Sequence, residues 1–242
     1  VGDYNGQLTV VKPVGSYESS VMSYGLSLVY NSAYHNQYFS NNGNGIHSKD
    51  FSGMKLGAGW KLSAQETVSE VTLDDVNGSA NAVQSTWLVY NDSDGTEHYF
   101  SRPDANTGLY KDEDGLSLTI VKDGQNFTMT DKQDNKKYFT NGYLTKLEDA
   151  NGNRIHIVYN GGTPGSNVPN ASGSNRITAA YSQPNGGNST KIFGLTYDSE
   201  GFLTNIEETY TASSSAYRKS CQIGYEEKDG IKYLKRMVLN SR

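Results

Sequence analysis

Residues 193–206 read Phe193-Gly194-Leu195-Thr196-Tyr197-Asp198-Ser199-Glu200-Gly201-Phe202-Leu203-Thr204-Asn205-Ile206: an alternating run, an Asp-x-x-Gly punctuation, and a second alternating run. Period-two patterning puts successive side chains on opposite faces of a strand, and Asp followed by Gly supplies the side-chain bonding and left-handed backbone of a tight turn. The segment therefore predicts a β-hairpin.

Outward from this hairpin the same plan recurs. Gly142-Tyr143-Leu144-Thr145-Lys146-Leu147-Glu148-Asp149 leads through Gly152-Asn153-Arg154 into a run ending at Tyr159, and Tyr225 to Leu234 is a looser copy around Asp229-Gly230. Leu26–Tyr30, Trp87–Tyr90, Leu116–Val121 and Ile155–Tyr159 are further short runs rich in β-branched and aromatic residues. Asn91–Gly95, Asp112–Gly115, Lys122–Gly124, Asp149–Asn153, Asp198–Gly201 and Glu227–Gly230 are turns that separate such runs. No stretch of a dozen residues has helical spacing, so the fold class is all-β: successive antiparallel hairpins in a curved, repetitive sheet with little or no helix.

Composition agrees. The 242 residues hold 18 Tyr against 7 Phe and 2 Trp, which suits half-exposed sheet faces where the ring packs and the hydroxyl stays wet. With 26 Gly and only 5 Pro, the connections are turns and not a proline-rich linker. A net charge of -5 disfavours a phosphate-binding surface, so no nucleic acid partner is expected, and Lys232 to Arg236 reads as the solvent face of a strand. No apolar run approaches the ~18 residues of a membrane helix, so membrane insertion is not expected. The ends at Val1 and Arg242 fall inside patterned sequence, as in a piece of something longer.

Two stretches break the rhythm. Residues 36–52 are rich in Asn, Gly and Ser and read as a long surface loop; residues 161–174 read as a tolerated insertion bulging between two strands. A soft boundary near Asp134 divides a first region, 1–134, from a region of visible repetition, 135–242, with the sheet running on through it.

The Tyr-Asp-x-x-Gly-x-Leu pattern of Tyr197 to Leu203 resembles the YD repeat of bacterial Rhs proteins, wall-associated YD proteins, insecticidal toxin complex shells and animal teneurins. Leu26-x-Leu28-x-Tyr30-Asn31-Ser32, followed by Leu56-Gly57-Ala58-Gly59-Trp60-x-Leu62-Ser63, is similar to the segment that precedes the repeats in Rhs proteins. The resemblance covers roughly residues 14 to 240. It departs where Glu226 stands for the Asp and where Phe202 follows Gly201 in place of an Arg. The resemblance implies a β-ribbon spiralling into a hollow shell, exported to the bacterial surface or beyond, whose toxic or processing activity belongs to other, C-terminal parts. On this reading the chain is a non-catalytic wall segment without cofactor, and its partners are other segments of the same large polypeptide. The alternative is a glycan-binding or adhesive β module meeting glycans or other surface proteins.

Sites of chemistry are few. Asn91, Asp92, Asp94 and Glu97 are calcium candidates, oxygen ligands packed into one turn, with Asp112, Glu113 and Asp114 as a second set; EF-hand spacing is missing, and hairpin turns explain both without a metal. His35 and His47, with Asp50, lack the further ligands that zinc requires, and His98 and His156 read as outward-facing strand residues. The single Cys221 reads as a small packed residue. No nucleophile elbow, His-Glu-x-x-His or phosphate loop occurs, so no catalytic residue is assigned, and Gly57 and Gly59 are expected to let strands approach closely around Trp60. For sugar contact the candidates are Tyr34, Tyr38, Phe39 and Trp60.

Overall fold

The computed structural model describes residues 8–39, 49–74, 84–101, 106–166, 168–171, 173–209 and 219–241. Among them lie seventeen strands and a single turn of 3-10 helix, Ser32–Tyr34, and every strand ladder is antiparallel. The protein is all-β.

A small sheet comes first: β1 (Thr9–Tyr17), β2 (Tyr24–Asn31) and β3 (Trp60–Leu62). Eight strands follow: β4 (Thr67–Asp74), β5 (Gln84–Asn91), β6 (Glu97–Phe100), β7 (Tyr110–Lys111), β8 (Thr119–Asp123), β9 (Asn126–Thr130), β10 (Lys136–Thr140) and β11 (Tyr143–Glu148). They pair in sequence order from β4 to β6 and from β7 to β11. Two junctions close the circle. At one, Phe100 bridges to Asp112, flanked by hydrogen bonds from Ser101 N to Lys111 O and from Glu113 N to Tyr99 O. At the other, Tyr143 pairs with Thr67, and Val68 N donates to Gly142 O. The result is a closed ring within the curved antiparallel sheet that the sequence pattern predicts.

Eight strands enclose just enough room for side chains. Val68, Leu88, Tyr90, Phe100, Ile120, Met129 and Phe139 are buried in one continuous core. One ion pair joins this filling, Lys137 to buried Glu66 at 2.6 Å, with the Tyr90 hydroxyl donating to Glu66, while Lys122 meets Glu70 at 2.7 Å in an exposed pair.

From β11 the sheet continues as an open flap through β12 (Arg154–Tyr159), β13 (Ile177–Gln183), β14 (Thr190–Tyr197), β15 (Leu203–Glu208), β16 (Lys219–Lys228) and β17 (Ile231–Ser241). The small sheet packs on this flap: Ser16 N donates to Glu208 Oε1 at 2.9 Å, Tyr24 meets the Phe193 ring edge-on at 6.2 Å, and a Cβ on Gly15 would lie 2.6 Å from Phe193. The strands either side of Asp134, β9 and β10, pair as an ordinary hairpin.

Two devices repeat along the sheet. Asp92, Asp131, Asp149 and Asp198 each close a turn in the same way, one carboxylate oxygen accepting the backbone N–H two and four residues later. The residue three positions on has positive φ in all four turns and is Gly at three of them, with Asp134 at the fourth. In β11–β12, β13–β14 and β15–β16 a Tyr of the second strand sends its hydroxyl to a carbonyl at the start of the first: Tyr159 to Leu144, Tyr197 to Ile177, Tyr225 to Leu203. Each bond gives a phenol in a packed layer a hydrogen-bond acceptor. These are the tyrosines that the sequence repetition singles out.

Residues 49–59 cross this repeat as a strap. The Asp50 carbonyl accepts from the Tyr143 hydroxyl, the Gly53 carbonyl from Arg176, Lys55 brackets Gly201 and Leu203 with two backbone bonds, and Ala58 N donates to Lys232 O. Gly57 permits the last crossing, since a Cβ there would lie 2.2 Å from Leu234 N. Phe51 and Met54 are buried; Phe51 and, at the other end, Phe39 therefore take parts of the expected surface loop 36–52 into the core, and its residues 40–48 lie outside the described residues. The run Leu116–Val121 also starts late as a strand: Ser117 has φ +60°, and Asp112 captures Leu116 N and Leu118 N, leaving β8 to begin at Thr119.

Candidate functional site

The outward face of β10–β13 carries an ordered polar platform. Register sets Tyr138, Lys146 and His156 in one row and Glu148, Arg154 and Gln183 in the next. The Lys146 ammonium lies over the Tyr138 ring, 3.6 Å from its centroid. Glu148 accepts from Arg154 Nε at 2.6 Å, the Tyr138 hydroxyl at 3.0 Å and Lys146 at 3.3 Å. Burial alone would raise the Glu148 carboxyl, but these three donors outweigh it and hold it down at about 2.

Above this platform runs the insertion that follows β12. Gly162 N donates to Tyr159 O, and Asn160 N to Arg176 O, which closes the base of the loop. Its far end is tied by Asn141 Nδ2 to the Pro169 carbonyl at 2.8 Å, and by Asn175, wholly buried, which exchanges bonds with Asn170 and accepts from Asn160. A bulge between strands would leave His156 and Val158 open. Instead both are buried, 5% and 2% exposed, and this corrects the outward-facing reading of His156. Alternation places the ring on the outer face, as expected; the roof covers it.

Between roof and platform lies a cavity of about 420 Å³, a ligand-sized volume. Gly165, Ser166 and Val168 line it from above, and Tyr138, Thr140, Thr145, Lys146, Arg154, His156 and Gln183 from below. His156 Nε2 meets Gln183 Oε1 at 2.7 Å, and Gln183 Nε2 donates to the Gly187 carbonyl. Burial, reinforced by the positive charges of Lys146 and Arg154, pushes the imidazole below its usual value despite the Gln183 bond. It is poised to stay neutral. No sequence motif marks this cavity, but two clues were present: alternate cationic and imidazole residues on β11–β12, and a Gly/Asn-rich insertion directly after them.

The turn with the calcium candidates is wired to protein donors. Buried Lys61 donates to Asn91 Oδ1 at 3.1 Å and to the Asp92 carbonyl, so its ammonium sits among the oxygens where a cation would. Burial pulls Lys61 down to about 8. Asp92 holds the turn amides of Asp94 and Thr96 and meets His98 Nε2 at 3.0 Å, while His98 Nδ1 meets Asp114 at 3.0 Å. Burial would raise the Asp92 carboxyl, yet the His98 bond and Lys61 keep it well below the usual range. Glu97 accepts from the Tyr99 hydroxyl. Among the described residues, no three His, Cys, Asp or Glu side chains gather as a metal site, and no helix is long and apolar enough to cross a membrane.

The four aromatic candidates for sugar contact pack on their own chain. Tyr34 meets Phe39 edge-on at 4.5 Å, Tyr38 meets Phe202 at 5.5 Å and its hydroxyl accepts from Lys232 N, and Trp60 packs on Tyr30 at 5.4 Å. His35 is held to the Ser32 carbonyl and Asp50 to Ser52 N; His47 lies outside the described residues. Cys221 is fully buried in the core.

Neither the known family models nor the curated protein sequences contain a match to this chain. Among solved structures it is similar to the N-terminal domain of effector protein SpvB from Salmonella typhimurium strain LT2, with a TM-score of 0.56 at 9% identity, covering 96% of this chain and 98% of that one. At this identity the likeness is one of fold.

Proposed function

We propose that the chain is a non-catalytic structural segment of a large exported bacterial polypeptide of the Rhs/YD-repeat kind, one stretch of a β-sheet wall. The observation that carries this reading is the recurring unit: three consecutive hairpins bound by the same Tyr-to-carbonyl bond, crossed by one strap and ending on β17. A hairpin of this kind buries its face only against its neighbours, which is the logic of repeat architectures.

Among the described residues β17, eleven residues long, pairs with β16 alone, and only the Lys232 end of its outer edge is met by Ala58 and Tyr38. A long edge strand invites another strand. The partner on this reading is the next segment of the same polypeptide, at the cell surface or beyond.

Hydrogen exchange tests it. Backbone amides of Leu234–Asn240 are expected to exchange at least tenfold more slowly in the full-length polypeptide than in the isolated chain. Equal exchange in the two would contradict a continuing wall. The chain should also lack turnover of glycoside, ester, peptide and phosphoester substrates; reproducible turnover abolished by a single substitution would sink the non-catalytic part.

A further inference from the structure

We infer that the cavity roofed by residues 161–166 and 168–170 is a binding site for a small hydroxylated organic anion. Three observations carry this beyond a wall role. First, the roof is held off the sheet. Its base is closed by Asn160 and its far end by Asn141 and Asn175, with about 420 Å³ between it and the platform.

Second, the lining has a definite electrostatic sign. It holds Lys146 and Arg154 and no carboxylate. The neighbouring Glu148 neutralises one of these charges from beside the cavity and leaves a net excess of one positive charge. Arg154 engages Glu148 through Nε, and a guanidinium has further N–H groups that suit carboxylate geometry.

Third, the rest of the lining suits hydroxyl groups. Thr140, Thr145, Ser166, Tyr138, His156 and Gln183 bring donors and acceptors to a space whose apolar wall includes Ile157, Val158 and Val168. A neutral His156 can accept as well as donate. Each of these groups already has a protein partner, and the hydroxyls and amide oxygen keep further lone pairs for a ligand, whereas a cation would meet Lys146 and Arg154.

The test uses a matched pair, D-gluconate and sorbitol, which share a hydroxylated chain and differ in the carboxylate. Titration calorimetry on the whole chain at pH 7 is expected to show gluconate binding at least tenfold tighter than sorbitol. Two variants locate the site: Arg154→Gln removes the guanidinium, and Val168→Trp, at an exposed roof position, fills the mouth without touching the platform. Both should lose gluconate binding by tenfold or more while circular dichroism and the thermal midpoint of Val168→Trp stay those of the parent. Sorbitol binding as tightly as gluconate, no gluconate binding at millimolar concentration, or unchanged affinity in a folded Val168→Trp protein would each overturn the proposal.

Discussion

The Tyr197 hydroxyl donates to the Ile177 carbonyl at 2.6 Å, tying the end of β14 to the start of β13. Tyr159 and Tyr225 repeat this bond in the hairpins on either side. Tyr197→Phe keeps the ring and leaves a carbonyl without its partner, so it should lower unfolding stability by about 1 kcal/mol in urea titration. Tyr159→Phe and Tyr225→Phe should behave alike. A silent set of three would mean that the bonds do not hold the hairpins.

Two glycines separate backbone strain from steric contact. Gly230 has φ +77° with open space around its missing Cβ, whereas a Cβ on Gly57 would lie 2.2 Å from Leu234 N, backbone that must move. Gly230→Ala should therefore cost about 1 kcal/mol, the ordinary penalty of a left-handed non-glycine residue. Gly57→Ala should cost roughly 2–4 kcal/mol by lifting the strap from β17. Thermal or urea unfolding of the two variants orders them.

Glu148 sets an acid limit. Its carboxyl is depressed from 4.5 to about 2 by Arg154, Tyr138 and Lys146, which together outweigh burial. A depressed acid contributes stability that is complete above its unfolded value and lost as pH falls through the folded one. The loss from Glu148 should thus run from about pH 4.5 to about pH 2. Allowing for solvent screening, it amounts to about 1–2 kcal/mol, and Glu148→Gln should flatten that part of the stability profile.

His98 acts in the opposite sense. Its bond to Asp92, with help from Asp114, raises the imidazole above 6.5 although burial opposes it. A raised base contributes stability that is complete below the unfolded value and lost as pH climbs through the folded one. NMR titration of the His98 ring should show a midpoint above 6.5 that falls in Asp114→Asn. An unchanged midpoint would remove Asp114 from the network.

The hairpins were legible because their signals are local. Tyr197 to Leu203 names its own turn, and Asp149 and Asp198 form it as their spacing suggests. Ring closure was not legible, because Thr67 and Tyr143 lie far apart in sequence and neither carries a mark of the other. The strap escaped for a similar reason: Phe51 and Met54 are isolated apolar residues in polar sequence, and only the fold shows that they enter the core. At the cavity, alternation placed Lys146, Arg154 and His156 on the outer face. Composition gave no sign that residues 161–166 and 168–170 fold back over them, since Gly and Asn serve a free loop and a pinned one equally.

On the proposed function this chain is one stretch of a continuous β-sheet wall. A cryo-electron microscopy map of the full-length polypeptide tests it most directly. The expected result is a further strand hydrogen-bonded along the outer edge of β17 around Met237–Leu239, with the Tyr-to-carbonyl spine continuing into the next hairpin. A map in which this chain is a detached domain and the outer edge of β17 faces solvent would contradict it.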